Sequence, residues 1–200
     1  MATTTPNYGW PVPTSTDYVK DGAVAIEALG DAIDATVFGL PTGALTLIKT
    51  QTIGTTVSSV AVTAAFSATY DAYKILITGG VGSADTELQL QMGATTTGYV
   101  DVIFGANFSG STAGPYAGGT SRFNNVGVAR STNGLDANIE MSNPFLAKNT
   151  YSRATRISTN NAFWSIGYLN NTTSYTDFTI SPLSGTLTGG TIRVYGYANS

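Results

Sequence analysis

Thr86-Glu-Leu-Gln-Leu-Gln-Met92 alternates polar and apolar side chains without interruption. That is the period-two pattern of a strand with one face on a core and the other in water. Val57-Ser-Ser-Val-Ala-Val-Thr63 repeats it upstream. Outward from these two segments lie further short runs rich in β-branched and aromatic residues, separated by glycine and other turn formers. They are Ala44–Lys49, Tyr73–Thr78, Tyr99–Phe104, Arg122–Arg130, Ala137–Ser142, Arg153–Ser158, Ala162–Leu169, Asp177–Ser181 and Thr191–Ala198. No segment after Pro41 carries a long helical period, so a parallel sheet alternating with helices is not supported. No repeat of fixed period is present either. The chain therefore reads as mainly β, with an antiparallel β-sandwich or jelly-roll-like head over residues 41–200.

Residues 17–40 follow another rule. Thr14 or Thr16 can cap a helix, Asp17 and Asp21 place negative charge at its positive end, and Gly39 with Pro41 supplies a stop. Val19, Gly22, Ile26, Leu29, Ile33, Thr36 and Leu40 recur in steps of three and four, the spacing of a coiled-coil-like helix. A lone helix of this length is marginal in water, and Gly22 and Gly30 each cost about 1 kcal/mol relative to alanine. Something must hold it: the β domain of its own chain, or copies of itself. Asp17, Asp21, Glu27, Asp31 and Asp34 lie mostly off the stripe. That placement favours self-association through Val19, Gly22, Ile26, Leu29 and Ile33.

Residues 1–16 hold Pro6, Pro11 and Pro13 around Tyr8, Gly9 and Trp10. Proline pushes such a segment toward extended backbone. It reads as a loose tail, or as an extended docking peptide whose contacts are Tyr8, Trp10, Pro11 and Pro13, since Tyr and Trp are common interface anchors.

Composition narrows the chemistry. The chain has 0 Cys and 0 His, which removes disulfides, thiolate metal sites and the commonest general base. A net charge of −3 with nine scattered basic residues gives no reason to expect nucleic acid as a partner. No basic start leads into an apolar stretch, and no run of about 18 apolar residues occurs. A soluble protein without a signal peptide or membrane partner is expected. Among the carboxylates, Asp85 and Glu87 sit two apart on one strand face, a spacing compatible with a paired-carboxylate glycosidase or with a plain solvated face. Asp31 and Asp34 lack a calcium-loop pattern, and Gly79-Gly-Val-Gly82 lacks the lysine and helix of a phosphate loop. Phe163, Trp164, Tyr168 and Tyr175, near Leu169-Asn-Asn-Thr-Thr-Ser174, supply the ingredients of a glycan site. Strand alternation must put some of these rings in the core, so they define no site by themselves. The expectation is a protein that is not an enzyme and uses no cofactor or metal.

Thr5-Pro-Asn-Tyr-Gly-Trp-Pro-Val-Pro-Thr-Ser-Thr-Asp-Tyr-Val-Lys-Asp-Gly-Ala-Val-Ala-Ile-Glu-Ala-Leu-Gly-Asp-Ala-Ile-Asp34 resembles the opening of many tailed-bacteriophage virion proteins, of the head-decoration, head-fibre, minor tail and tail-fibre kinds. Phe66-Ser-Ala-Thr-Tyr-Asp-Ala-Tyr-Lys-Ile-Leu-Ile77, Leu90-Gln-Met-Gly-Ala-Thr-Thr-Thr-Gly-Tyr99 and Gly190-Thr-Ile-Arg-Val-Tyr-Gly-Tyr-Ala198 are similar, more loosely, to the β heads of such proteins. The resemblance implies a homotrimer made in the bacterial cytoplasm and placed on the virion, at the capsid surface or the tail. It implies an N-terminus gripping the major capsid protein or a tail or baseplate protein, and a head projecting outward to stabilise the capsid or bind a host-surface glycan. The absence of a long shaft favours a capsid-attached decoration or short fibre over a tail fibre or minor tail protein.

Overall fold

The computed structural model describes residues 3–14, 18–39, 44–117 and 121–199. The chain divides into two compact units, residues 1–42 and 43–200.

In the first unit, β1 (Thr3–Thr4) and β2 (Pro11–Val12) form an antiparallel hairpin. The backbone between them reverses at Gly9, whose φ of +68° suits glycine. The Gly9 N–H donates to the Thr5 carbonyl and the Trp10 N–H to Thr5 Oγ1, each at 3.0 Å. Helix α1 (Val19–Gly39) packs against β2. Trp10 Nε1 donates to Thr36 Oγ1 at 2.9 Å, and Thr36 Oγ1 donates to the Ala32 carbonyl at 2.8 Å. The N-terminal segment is thus extended only within its two short strands, and it turns back onto the helix. The half-buried stripe of α1 runs Gly22, Ala25, Leu29, Ala32, Ile33 and Thr36. It contains Gly22, Leu29 and Ile33 as expected, whereas Ile26 is 64% exposed. The side chain of Val19, and Thr16, Asp17, Leu40 and Pro41 altogether, lie outside the described residues.

The second unit is mainly β. Its strands are β3 (Leu45–Thr52), β4 (Val60–Val62), β5 (Ala72–Gly79), β6 (Val81–Gly82), β7 (Thr86–Met92), β8 (Tyr99–Asn107) and β9 (Thr112–Ala117). There follow β10 (Phe123–Arg130), β11 (Gly134–Ser142), β12 (Thr150–Ile157), β13 (Asn161–Leu169), β14 (Phe178–Pro182), β15 (Leu187–Thr188) and β16 (Thr191–Tyr197). All the larger pairings are antiparallel. One layer runs β9-β8-β13-β12-β11-β5-β16-β3 and the other β4-β14-β7-β10. The β10–β11 hairpin joins them: β11 pairs with β10 over Gly134–Asp136 and then with β12 from Asn138 to Ser142. Past that hairpin β10 leaves the first layer and crosses over β12, β13 and β8, so the hydrogen-bonded sheet folds over itself into a sandwich.

Every strand read from alternation is present, with the 57–63 run reduced to β4 and a single Val57–Leu187 bridge. Strand β9 was not anticipated, because its sequence carries Gly114 and Pro115. Proline is tolerated there because β9 lies at the sheet edge. Gly79 and Gly80 cross Gly189 and Gly190 so closely that a Cβ on Gly80 would collide with the Gly189 carbonyl. The glycine run therefore serves a chain crossing.

Between the layers lies one core, in which Ile75, Ile139, Leu90, Ile180, Phe178 and Val194 are fully buried. Phe178 packs against Phe66 with ring centroids 5.5 Å apart. Truncating Phe178 to alanine should cost about 3–5 kcal/mol, read from urea denaturation. A loss below about 1 kcal/mol would show that this ring is not part of a close-packed core.

Candidate binding face

On β8, β13 and β12 the usual orientation of a sandwich strand is reversed at the positions that β10 passes over. Beside the buried Tyr99, Ile103 and Leu169, the inward positions include Asp101, Ser165 and Ser152, which are 6%, 4% and 3% exposed. The outward positions are Val100, Val102, Phe104, Trp164, Ile166 and Tyr151, each more than a third exposed. The cause is the approach of β10. Its Asn124 N–H donates to Asp101 Oδ2 at 2.9 Å and its carbonyl accepts from Ser165 Oγ at 2.7 Å. Small and polar residues fill this part of the inner face, and the large apolar ones are turned to the outside. Asn125, at φ +54°, sits in the register shift that lets β10 bend here.

Among the described residues of this unit no other layer covers the outer face. Strand register aligns its side chains in rows. One row reads Phe104, Trp164, Thr155, Asn138 and Leu76; the next reads Val102, Ile166, Arg153, Glu140 and Lys74. Phe104 lies along one side of the Trp164 indole, with centroids 5.6 Å apart and planes 16° from parallel. The other side borders a depression of about 270 Å³ lined by Asn138, Glu140, Arg153, Thr155 and Ile166. Glu140 faces Lys74 at 3.9 Å and accepts from the Tyr197 hydroxyl at 3.2 Å. Burial, and then that carboxylate, raise the Tyr197 hydroxyl pKa. Arg153 has no ion pair among the described residues.

The four aromatics singled out in sequence do not converge. Trp164 lies on the outer face, and Tyr168 stands beside Tyr151 with ring centroids 6.3 Å apart. Phe163 lies on the opposite face under the Arg156 guanidinium, 4.4 Å from its ring centroid. Tyr175 is buried, its hydroxyl 2.7 Å from both Thr95 Oγ1 and Asn171 Nδ2. The missed contributors are Asn138, Glu140, Arg153 and Thr155. A sequence signal exists in Tyr151-Ser-Arg-Ala-Thr155 and Trp164-Ser-Ile166: small residues alternate with large ones, but alternation alone does not say which set faces in.

Asp85 and Glu87 line a shallow depression with Arg130 and Arg156. Asp85 accepts from the Ser131 N–H at 2.8 Å and its hydroxyl at 2.9 Å, with Arg130 3.5 Å away. These hydrogen bonds, and then Arg130, hold the Asp85 carboxyl below its ordinary pKa, opposite to what a general acid requires. Among the described residues no cluster of acidic side chains is built to hold a metal, and no helix is long and apolar enough to cross a membrane. In the first unit Tyr8 is exposed and stacked on Trp10 at 5.1 Å; Trp10, Pro11 and Pro13 are half-buried.

No protein-family model, curated protein or solved structure matches this chain.

Asp101 gives a pH test of the reversed strands. Its Oδ1 is buried without a hydrogen bond, and burial raises its pKa. A raised folded-state value means that folding favours the neutral acid. The associated stability is present below the unfolded pKa of about 3.9 and lost as pH rises through the folded value. Asp101→Asn keeps the shape and removes the charge. Its melting temperature should gain on that of the native chain as pH rises above about 4, followed by circular dichroism. Asp136, also raised by burial, is common to both chains and cancels. Parallel melting profiles would show that Asp101 is not desolvated.

Proposed function

We propose that this protein is a structural and binding component of a bacteriophage particle, a trimeric short fibre or decoration. Its N-terminal unit attaches to the capsid and its β-sandwich head faces outward, stabilising the shell or binding the host surface. The observation that carries this reading is the apolar surface left open on both units. In the first, Tyr18, Val24, Ile26, Val37 and Phe38 are exposed, Phe38 at 91%. A helix already holding its own hairpin while exposing these residues has surface to offer to other copies. The resemblance of residues 5–34 to phage virion proteins agrees with it.

In this reading Val19, Gly22, Ile26, Leu29 and Ile33 form the seam between helices. The hairpin bearing Tyr8, Trp10, Pro11 and Pro13 meets the major capsid protein. Trp10 acts through Thr36, holding the hairpin to the helix, and Tyr8 presents the exposed ring. Three such hairpins on one stalk make attachment durable through avidity, even where each alone binds weakly. The head is not an enzyme, since Asp85 is committed to Ser131 and Arg130 and no histidine is available. A second reading, a receptor-binding tail fibre or minor tail protein, uses the same parts with a tail or baseplate protein as the anchor. The open aromatic face of the head favours it.

Light scattering on the full chain should give the mass of a trimer, and the double variant Ile26→Asp/Ile33→Asp should give a monomer with an unchanged β spectrum. A monomeric native chain would overturn the stalk. Trp10→Ala should lower occupancy on purified particles while the head stays folded, and undiminished occupancy would remove the hairpin from attachment. Cleavage of a polysaccharide by the purified protein would overturn the non-enzymatic reading.

A further inference from the structure

We infer that the depression beside Trp164 is a glycan subsite, and that its ligand is a sugar ring carrying a carboxylate. The inference rests on the reading of the head as a binding module, and it is independent of where the protein sits on a particle.

Three observations converge. Trp164 is held by Phe104 on one side and opens to the depression on the other. A flat, immobilised indole suits the apolar face of a pyranose, burying C–H groups at small entropic cost. The rest of the lining is hydrogen-bonding: the Asn138 amide, the Thr155 hydroxyl, the Glu140 carboxylate and the Arg153 guanidinium. This mixture matches a ring whose edge bears hydroxyls, and a volume of about 270 Å³ lies just under the roughly 300–1,000 Å³ of pockets for drug-sized ligands. One sugar ring, with its neighbours running along the open sheet, fits that size.

The charge of the sugar follows from what is already paired. Glu140 faces Lys74 and accepts from Tyr197. Arg153 stands next to it in the same row with no ion pair among the described residues. A guanidinium presents a planar fork that takes a carboxylate through two parallel hydrogen bonds. On a chain of net charge −3, an unmatched cation beside an exposed aromatic is a local attraction for an acidic ring, of the uronic or sialic type.

The reversed strands strengthen the case. To hold Trp164, Ile166 and Val102 outward, the fold buries Asp101 with one oxygen unsatisfied, an arrangement that destabilises the head by itself. Exposed apolar surface obtained at the expense of stability is the mark of a binding surface.

The chain carries two tryptophans, one in each unit, which provides an internal control. The full chain, labelled with nitrogen-15, is titrated with an oligogalacturonate and, separately, with a neutral oligogalactoside of equal length, while both indole N–H resonances are followed. The Trp164 signal should move with the uronate and the Trp10 signal should stay. Trp164→Ala, an exposed position, should abolish binding measured by calorimetry. Arg153→Gln should weaken the uronate by about tenfold to a hundredfold, the range of a charge-assisted hydrogen bond, and leave the neutral sugar unaffected. Equal binding of the two sugars with no effect of Arg153→Gln would overturn the acidic assignment. If neither sugar moves Trp164, or if its signal broadens with protein concentration alone, the subsite is overturned. In the second case the face is an interface between copies. The mass of the Ile26→Asp/Ile33→Asp variant reports on the stalk independently of both results.

Discussion

Strand β10 and the layer beneath it approach so closely that little can stand between them. A Cβ on Gly127 would collide with the Ala137 side chain and the Asp136 carbonyl, and Asn124 hydrogen-bonds directly to Asp101 and Ser165 across the gap. Close packing admits no compromise at such a point. Where β10 passes, the inward positions Asp101, Ser152 and Ser165 are small or polar, whereas Tyr99, Ile103 and Leu169 on the same strands fill the inner face with bulk; beside the seam the outward positions carry large apolar side chains. The exposed aromatic face follows from that one approach, as does the desolvated carboxylate within.

The rest of the sandwich compensates for this seam. Around Phe178, Ile75, Leu90 and Ile139 the layers stand far enough apart for large apolar side chains to interdigitate, and apolar burial there stabilises the head by about 25 cal/mol per Å² removed from water. Polar bonds tie the strands of the β14-β7-β10 layer beside this seam: Arg122 donates to Gln89, Gln91 and Ser181, and Gln89 to Asn124. Partly satisfied networks are costly when buried, and the unpartnered Asp101 oxygen marks where this one stays incomplete. The functional reading concentrates on the same strands, with instability on their inner side and ligand-binding chemistry on their outer side.

The two units meet their needs differently. The helix is too short and too glycine-bearing to stand alone, and its first partner proves to be the hairpin before it, latched by Trp10 to Thr36. The latch holds Thr36 and leaves Ile26 exposed, so the helix keeps apolar surface open. Proline content argued for an extended N-terminus. The turn at Gly9 and a bond spanning 26 positions lie beyond what local propensity reports.

Period-two alternation in Thr86–Met92 and its companions was sufficient to establish an antiparallel β head, because side chains on successive strand residues point to opposite faces whatever the surroundings. Three-and-four spacing likewise established α1, and a sequence without His or Cys offers neither the commonest general base nor a thiolate. Which set of alternate residues faces the core was not written in the pattern for β8, β12 and β13. Ser165 beside Trp164 reads by hydropathy as polar outside and aromatic inside, and the structure has the reverse. The assignment depends on how near β10 comes, a distance set by residues far away in the chain. Arg153, Glu140, Asn138 and Trp164 come from three strands and become neighbours only through register. Periodicity is local and was legible in the sequence. The inner and outer faces and the proposed binding site depend on interlayer distance and cross-strand pairing, and these were decided by the tertiary structure.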